Sequence, residues 1–262
     1  MEIKEIKCFE DYFDALKKFE GRTAIFRGFD AKYKKVPTIV RSFCCCSQIK
    51  HGCGALKDFD HWYKAWNSAR KSNTEIMAKF KDYESTLFNS FKRQARLFPT
   101  TLPTRHWEWL AYAQHYGLQT RLLDWSKNPL AALYFAISNE AIKSDVWVYA
   151  LDFGPLTEGH KHMIDSEKRN DDPLEYADGM TRFIPPIIDT RMAAQQSVFT
   201  IQNDPFKVVA GKNLTEFLIE GDSKEDIRKQ LHRLGINQAS LFPDVTGLTK
   251  NLTWVWERYR NA

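Results

Sequence analysis

The chain has 262 residues, 43% hydrophobic and 27% charged, with a formal net charge of +5 and a pI near 8.8. These values exclude wholesale disorder and leave enough chain to bury a sizeable core, while the mild basicity lacks the sharp basic stripe of a dedicated nucleic-acid binder. Met1 to Lys7 alternate apolar with charged residues and form no signal-peptide h-region, and no apolar run reaches the roughly 18 residues of a bilayer span, so a cytoplasmic protein with no membrane partner is expected.

In chain order, residues 9–20 place Phe9, Phe13, Leu16 and Phe19 on one face of a short amphipathic helix. Thr23 to Phe26 reads as a strand, followed by Arg27-Gly28. Lys32 to Arg41 is a basic connection broken by Pro37, and the stretch to Gly54 reads as loop. Asp58 to Asn67 is predicted helical. A longer helix from about Thr74 to Phe98 carries Ile76, Phe80, Tyr83, Leu87, Phe91, Ala95 and Phe98 at steps of three or four, opposite a solvated Lys- and Arg-rich face. After Pro99 and Pro103, residues 105–116 form a helix, and Gly117 sits where a C-terminal cap belongs. Thr120 to Trp125 reads as a short strand. Asn128-Pro129 opens a helix, as N-cap and first-turn proline, whose apolar run to Ile137 marks it as buried and central.

Val146 to Leu151 is a buried strand, and the polar residues 154–180 read as a mobile surface loop. Short strands are expected near Phe183, at Val198 to Ile201 and at Glu216 to Ile219. Ser223 with Asp226 reads as a capping box for a helix over 224–234, closed by Gly235. The tail through Trp254 and Trp256 is expected to pack on the core. Helices and strands without strict alternation imply one α+β domain over residues 1–262, with a central mixed or mostly antiparallel sheet and a helical insertion packed on it. The eight Trp, ten Tyr and eighteen Phe imply an aromatic-rich core.

The five cysteines, Cys8, Cys44, Cys45, Cys46 and Cys53, lack C-x₂-C pairs at finger spacing, and three adjacent thiols cannot all face one metal from a regular element. Free thiols are the expectation, with neither a disulfide nor a metal site.

Chemistry concentrates in four places. Arg27 ends a strand, and its planar guanidinium suits bidentate contact with phosphate or carboxylate, while Gly28 permits a turn or close approach. The segment Gln114 to Trp125 packs Gln114, His115, Gln119, Thr120, Arg121 and Asp124 between two buried helices, a polarity that must be paired or functional. On a regular strand Arg121 and Asp124 point to opposite faces, so each needs its own partner. Arg191 with Gln195-Gln196-Ser197 precedes a strand, and Ser240 to Gly247 reads as a structural turn.

The tripeptide Phe26-Arg27-Gly28 after a strand resembles the signature of the FRG-domain family. The resemblance extends through Trp107 to Leu110, Gln114 to Gly117, Thr120 to Ser126 and Asn128 to Leu130. It continues in Arg191 with Ala194 to Thr200 and in Gly235 to Asn237 with Ser240 to Asp244, covering about residues 22–252. Gln119 stands where that family usually has Pro, and Ser197 where it usually has Gly. A second, weaker similarity is to Arg-type ADP-ribosyltransferases, which share an aromatic-Arg-Gly strand end, a Ser/Thr strand and an Ala-x-x-x-Phe-Ala helix, here through Ala131, Phe135 and Ala136. That similarity implies NAD as substrate, in a toxin or anti-phage effector. It assigns Arg27, Gly28, Gln114, Thr120, Arg121 and Asp124 to the nucleotide, and Gln195, Glu216 and His115 to the chemistry. Such enzymes place a Glu where this chain has Gln195-Gln196; Glu216 is the nearest later acid. The alternatives are a non-catalytic module binding a nucleotide or another anionic ligand, a nucleic acid or a protein, and a hydrolase or nuclease built on His115 and Asp124. Arg27, His115, Arg121 and Gln195 are expected to converge on one pocket.

Overall fold

In the computed structural model the described residues are 2–29, 37, 38, 40, 74–98, 102–141, 143–158, 163–165 and 168–260. The helix expected over 58–67 and the cysteines from Cys44 to Cys53 lie outside them, as does most of the Lys32 to Arg41 connection. The strands are β1 (Glu2–Ile6), β2 (Arg22–Phe29), β3 (Leu123–Ser126), β4 (Val146–Pro155), β5 (Met163–Asp165), β6 (Thr181–Ile184), β7 (Ser197–Ile201) and β8 (Leu214–Ile219). The helices are α1 (Phe9–Leu16), α2 (Thr74–Gln94), α3 (His106–His115), α4 (Pro129–Ile137), α5 (Thr190–Ala194), α6 (Lys224–Arg233), α7 (Gln238–Leu241) and α8 (Val245–Tyr259).

The strands form a single sheet in the order β1-β8-β4-β2-β3-β7-β6-β5. The outer pairs β1–β8 and β5–β6 are parallel and the inner pairs antiparallel, so the fold is α+β on a mixed sheet. On one half, α4 lies on the face shown by Phe26, Val148, Ala150 and Phe217. It can lie close because Gly28 has no side chain: a Cβ there would stand 1.9 Å from the Ala132 carbonyl oxygen. On the other half, α3 buries Trp107, Leu110 and Ala113 in one cluster with Phe183, Phe199 and Ile201. Helix α2 joins that cluster through Phe88, while its Phe80 meets Val40 and Phe206. The opposite face of the sheet centre is apolar too, through Ile25, Phe29, Trp125, Tyr149 and Val198.

The caps act as their sequence requires. Asn128 Oδ1 accepts from Leu130 N at 2.9 Å and Ala131 N at 3.4 Å, with Pro129 in the first turn. Gly117, at φ +88°, takes the left-handed position after α3, and Leu118 N reaches back to the Ala113 carbonyl at 2.9 Å.

The alternation at Glu2 to Ile6 makes an edge strand that was not foreseen, because its partner β8 lies far along the chain. Other expectations need correction. The 154–180 region is no bare loop: it holds β5 and a 3-10 turn, Pro173–Glu175, with Leu174 and Tyr176 buried against Trp107. Ser223 stands at the N-cap position of α6 but forms no capping box, since a preceding 3-10 turn, Gly221–Ser223, puts it at helical angles and its hydroxyl donates to the Lys7 carbonyl instead. Between Ser240 and Gly247 the expected turn is confined to 242–244, which joins the end of α7 to the start of α8, with Asp244 Oδ1 accepting from Gly247 N at 2.7 Å. In the tail, Trp254 is buried but Trp256 is 66% exposed. Among the described residues no helix is long and apolar enough to cross a membrane.

Candidate functional site

The sheet nearly comes apart at its centre. Antiparallel β2 and β3 share one registered pair, Phe26 with Ser126, whereas β2 keeps its ladder with β4 as far as Phe29. Past that pair the two strands separate, and the space between them opens a cleft of about 710 Å³. Helices α3 and α4 stand over it from either half, and α5 closes one end with Arg191 and Met192. This is where Arg27, Gly28, Gln114, His115, Asp124 and Gln195 meet.

Arg27 spans the opening. Its guanidinium lies 4.4 Å over the Phe29 ring, and Nη1 donates to the Asp124 carbonyl and lies 3.3 Å from the Asp124 carboxylate. Side chain thus meets backbone where the ladder stops. The Asp124 carboxylate is held from the other side too, since Gln114 Nε2 lies 2.9 Å from both its oxygens. Gln114 is itself oriented by Thr120, whose hydroxyl donates to Oε1 at 2.5 Å while accepting from Leu122 N at 3.1 Å. Thr120, Gln114, Asp124 and Arg27 therefore form one chain of paired polar groups, which answers the cost of placing them near the core.

His115 closes the same wall. Its Nε2 meets the carboxylate of Asp189; a carboxylate only accepts, so Nε2 carries the proton. The ring packs edge-on against Tyr116 at 4.9 Å. Asp189 also caps α5, accepting from Met192 N at 2.9 Å, which ties the histidine to the helix that presents Arg191. The guanidinium of Arg191 lies 4.6 Å over the Phe242 ring. Gln195 is at the cleft, but its Nε2 donates to the Leu241 carbonyl at 3.0 Å, and its own carbonyl accepts from Ser126 Oγ at 2.7 Å. The following residue, Gln196, holds φ at +47°, a left-handed conformation that non-glycine residues rarely adopt, and its carbonyl accepts from Lys127 N at 3.0 Å. Turn and strand end are thereby clasped together.

Two of the expected site residues stand elsewhere. Arg121 is 4% exposed and turned away from the cleft: Nε lies 2.8 Å from Glu84 Oε1, Nη2 meets Oε2, and Nη1 points to the Pro173 carbonyl at 3.5 Å. Arg121 and Asp124 do have separate partners, but Arg121 precedes β3 rather than lying on it, and its partner is structural, so three of the four residues expected to converge do so. Glu216 is 0% exposed, on β8, and β4 lies between that strand and β2. Thr120 is buried behind Gln114, and Gly28 serves helix packing. Asp189 and Phe242, which hold His115 and Arg191, were not among the expected site residues. The signal for Asp189 was its place as an N-cap residue just before Thr190-Arg191. Among the described residues no group of three or more His, Cys, Asp or Glu could hold a metal ion.

Fold and site together define an α+β domain with a ligand-sized cleft at the split of a mixed sheet, lined by an Arg from the central strand. Residues 22–145 match the FRG domain family, and the chain carries an FRG domain over that stretch. The match runs from β2 to the turn before β4, so Arg191, Gln195 and the 235–244 segment lie beyond it. No curated protein and no solved structure matches the chain.

Proposed function

We propose that the cleft binds an anionic, nucleotide-type ligand and that the domain works as a binding module for it. The observation that supports this reading is the joining of Arg27, Arg191 and His115 with the rings of Tyr116 and Phe135 in one cleft of about 710 Å³. That size falls within the roughly 300–1,000 Å³ of small-molecule sites, and cationic forks beside flat rings suit phosphates attached to a base. NAD is the first ligand to test, because of the similarity to Arg-type ADP-ribosyltransferases. Binding without turnover is favoured because the groups that would serve the chemistry are engaged. Asp124 is held by Gln114 and Arg27, Asp189 by His115 and the α5 backbone, and the Gln195 amide by Leu241. A neutral amide also stabilises a developing cation less well than a carboxylate does.

One observation favours a second reading. A histidine oriented by a carboxylate at a cleft wall is the geometry of a general acid or base, and would serve ADP-ribosyl transfer or hydrolysis. A toxin or anti-phage effector role belongs with that reading. Titration calorimetry with NAD, ADP-ribose and ATP, run beside an assay for released nicotinamide, tests both. Saturable binding with no nicotinamide released supports the module. Release that His115→Asn abolishes supports the enzyme, and no binding of any of the three at millimolar concentration refutes both.

A further inference from the structure

Of the two arginines at the cleft, Arg27 already bridges to Asp124 by a backbone and a carboxylate contact. Arg191 differs. Its side chain is exposed, and among the described residues its guanidinium makes neither an ion pair nor a hydrogen bond; its contact is the Phe242 ring, 4.6 Å from Cζ. Stacking uses the flat face of a guanidinium and leaves the in-plane N–H donors available. The ring is itself fixed, packed edge-to-face on Phe135 at 6.0 Å and 90°. The base of Arg191 is fixed as well: Asp189 caps α5 in front of it, and Gln195 ties the end of α5 to the Leu241 carbonyl, next to Phe242. The donor fork is held in place before any ligand arrives, so less rotamer freedom is lost on binding.

We infer that Arg191, oriented by Phe242, is the phosphate-recognising residue of the cleft, and that it takes the diphosphate or terminal phosphate of the ligand. This rests on the cleft being a nucleotide site, yet it is testable apart from it, since a phosphate fork binds phosphate whatever is attached. A lysine in its place keeps the charge but loses both the two-point fork and the stacking plane.

The test is calorimetric titration of the whole chain with inorganic pyrophosphate and, separately, with ADP. Wild type binds pyrophosphate, and Arg191→Lys weakens it by roughly tenfold or more, the usual worth of a charge-assisted bidentate contact. Phe242→Leu, which keeps an apolar side chain but removes the ring, weakens it to a lesser degree. Melting curves without ligand confirm that each variant is folded. Wild-type affinity in Arg191→Lys, or loss of pyrophosphate binding in Arg27→Lys alone, overturns the assignment, as does a wild type that ignores pyrophosphate. Pyrophosphate binding that depends on Arg191, with no binding of ADP or NAD, keeps the assignment and removes the nucleotide reading.

Discussion

Replacing Arg121 by Met tests whether that arginine belongs to the fold or to a ligand. Arg121 and Glu84 are 4% and 2% exposed and meet through two nitrogen–oxygen contacts, which fasten α2 to the segment leading into β3. Removing the guanidinium leaves the Glu84 carboxylate in the interior with its main partner gone. Breaking a buried pair from one side costs about 3–5 kcal/mol. For a chain of this size each kcal/mol moves the melting temperature by about 2–4 °C, so a fall of roughly 6–20 °C is expected in a thermal melt followed by circular dichroism. The double variant Glu84→Met with Arg121→Met should recover most of that loss, because neither charge then needs desolvating. A single variant that melts like wild type, or a double variant as weak as the single one, would refute the assignment. So would a normally stable Arg121→Met that no longer binds a nucleotide the wild type binds.

Three further outcomes are expected. Gly28→Ala drives a Cβ to within 1.9 Å of the Ala132 carbonyl, and should cost about 3 kcal/mol or more through displacement of α4; a urea midpoint within error of wild type would count against that packing. Burial acts to raise the Glu140 carboxyl, but the hydrogen bond from Arg258 and the charge of Arg228 outweigh it and hold the group below the usual carboxylate range. Its stabilising effect is therefore present above the unfolded value, about 4.3, and lost as pH falls through the lower folded value, so Glu140→Gln should weaken the protein at pH 7 and flatten its decline in acid. An unchanged slope of stability against pH below that value would contradict this. Gln196→Gly relieves the +47° backbone, worth about 1 kcal/mol, against a smaller entropic loss, and should raise stability by about 0.5 kcal/mol, whereas Gln196→Ala should not; equal chemical-denaturation midpoints for the two would remove the strain argument.

What the sequence disclosed follows the reach of each signal. Local signals were reliable: Asn128-Pro129 starts α4, Gly117 ends α3, and the apolar run to Ile137 is buried. Signals that depend on a distant partner were not. Glu84 sits four residues from both Phe80 and Phe88, on the buried stripe of α2, and this acid among aromatics marked where Arg121 would go. Helical period alone could not join two residues separated by 37 positions. Edge strand β1 needs β8 to exist, and Glu216 was misplaced because the order of strands in a sheet is not written in their spacing. The polarity of 114–125 marked the cleft correctly, whereas the preorganisation of Arg191 depends on Phe242, carried on another element.

The single rung between β2 and β3 has a consequence for how the chain is threaded. On one side of that seam lie β1, β8, β4 and β2, and on the other β3, β7, β6 and β5. The polypeptide passes over it between β2 and β3, back between β3 and β4, over again between β4 and β5, and back once more between β7 and β8. Neither half is a continuous stretch of sequence, so neither can be cut out as a fragment, and the half that holds β1, β4 and β2 is complete only once β8, the last strand, has been made. Hydrogen bonding across the middle is sparse, but connectivity laces it shut. A protease nick in any one crossover leaves the remaining crossovers holding.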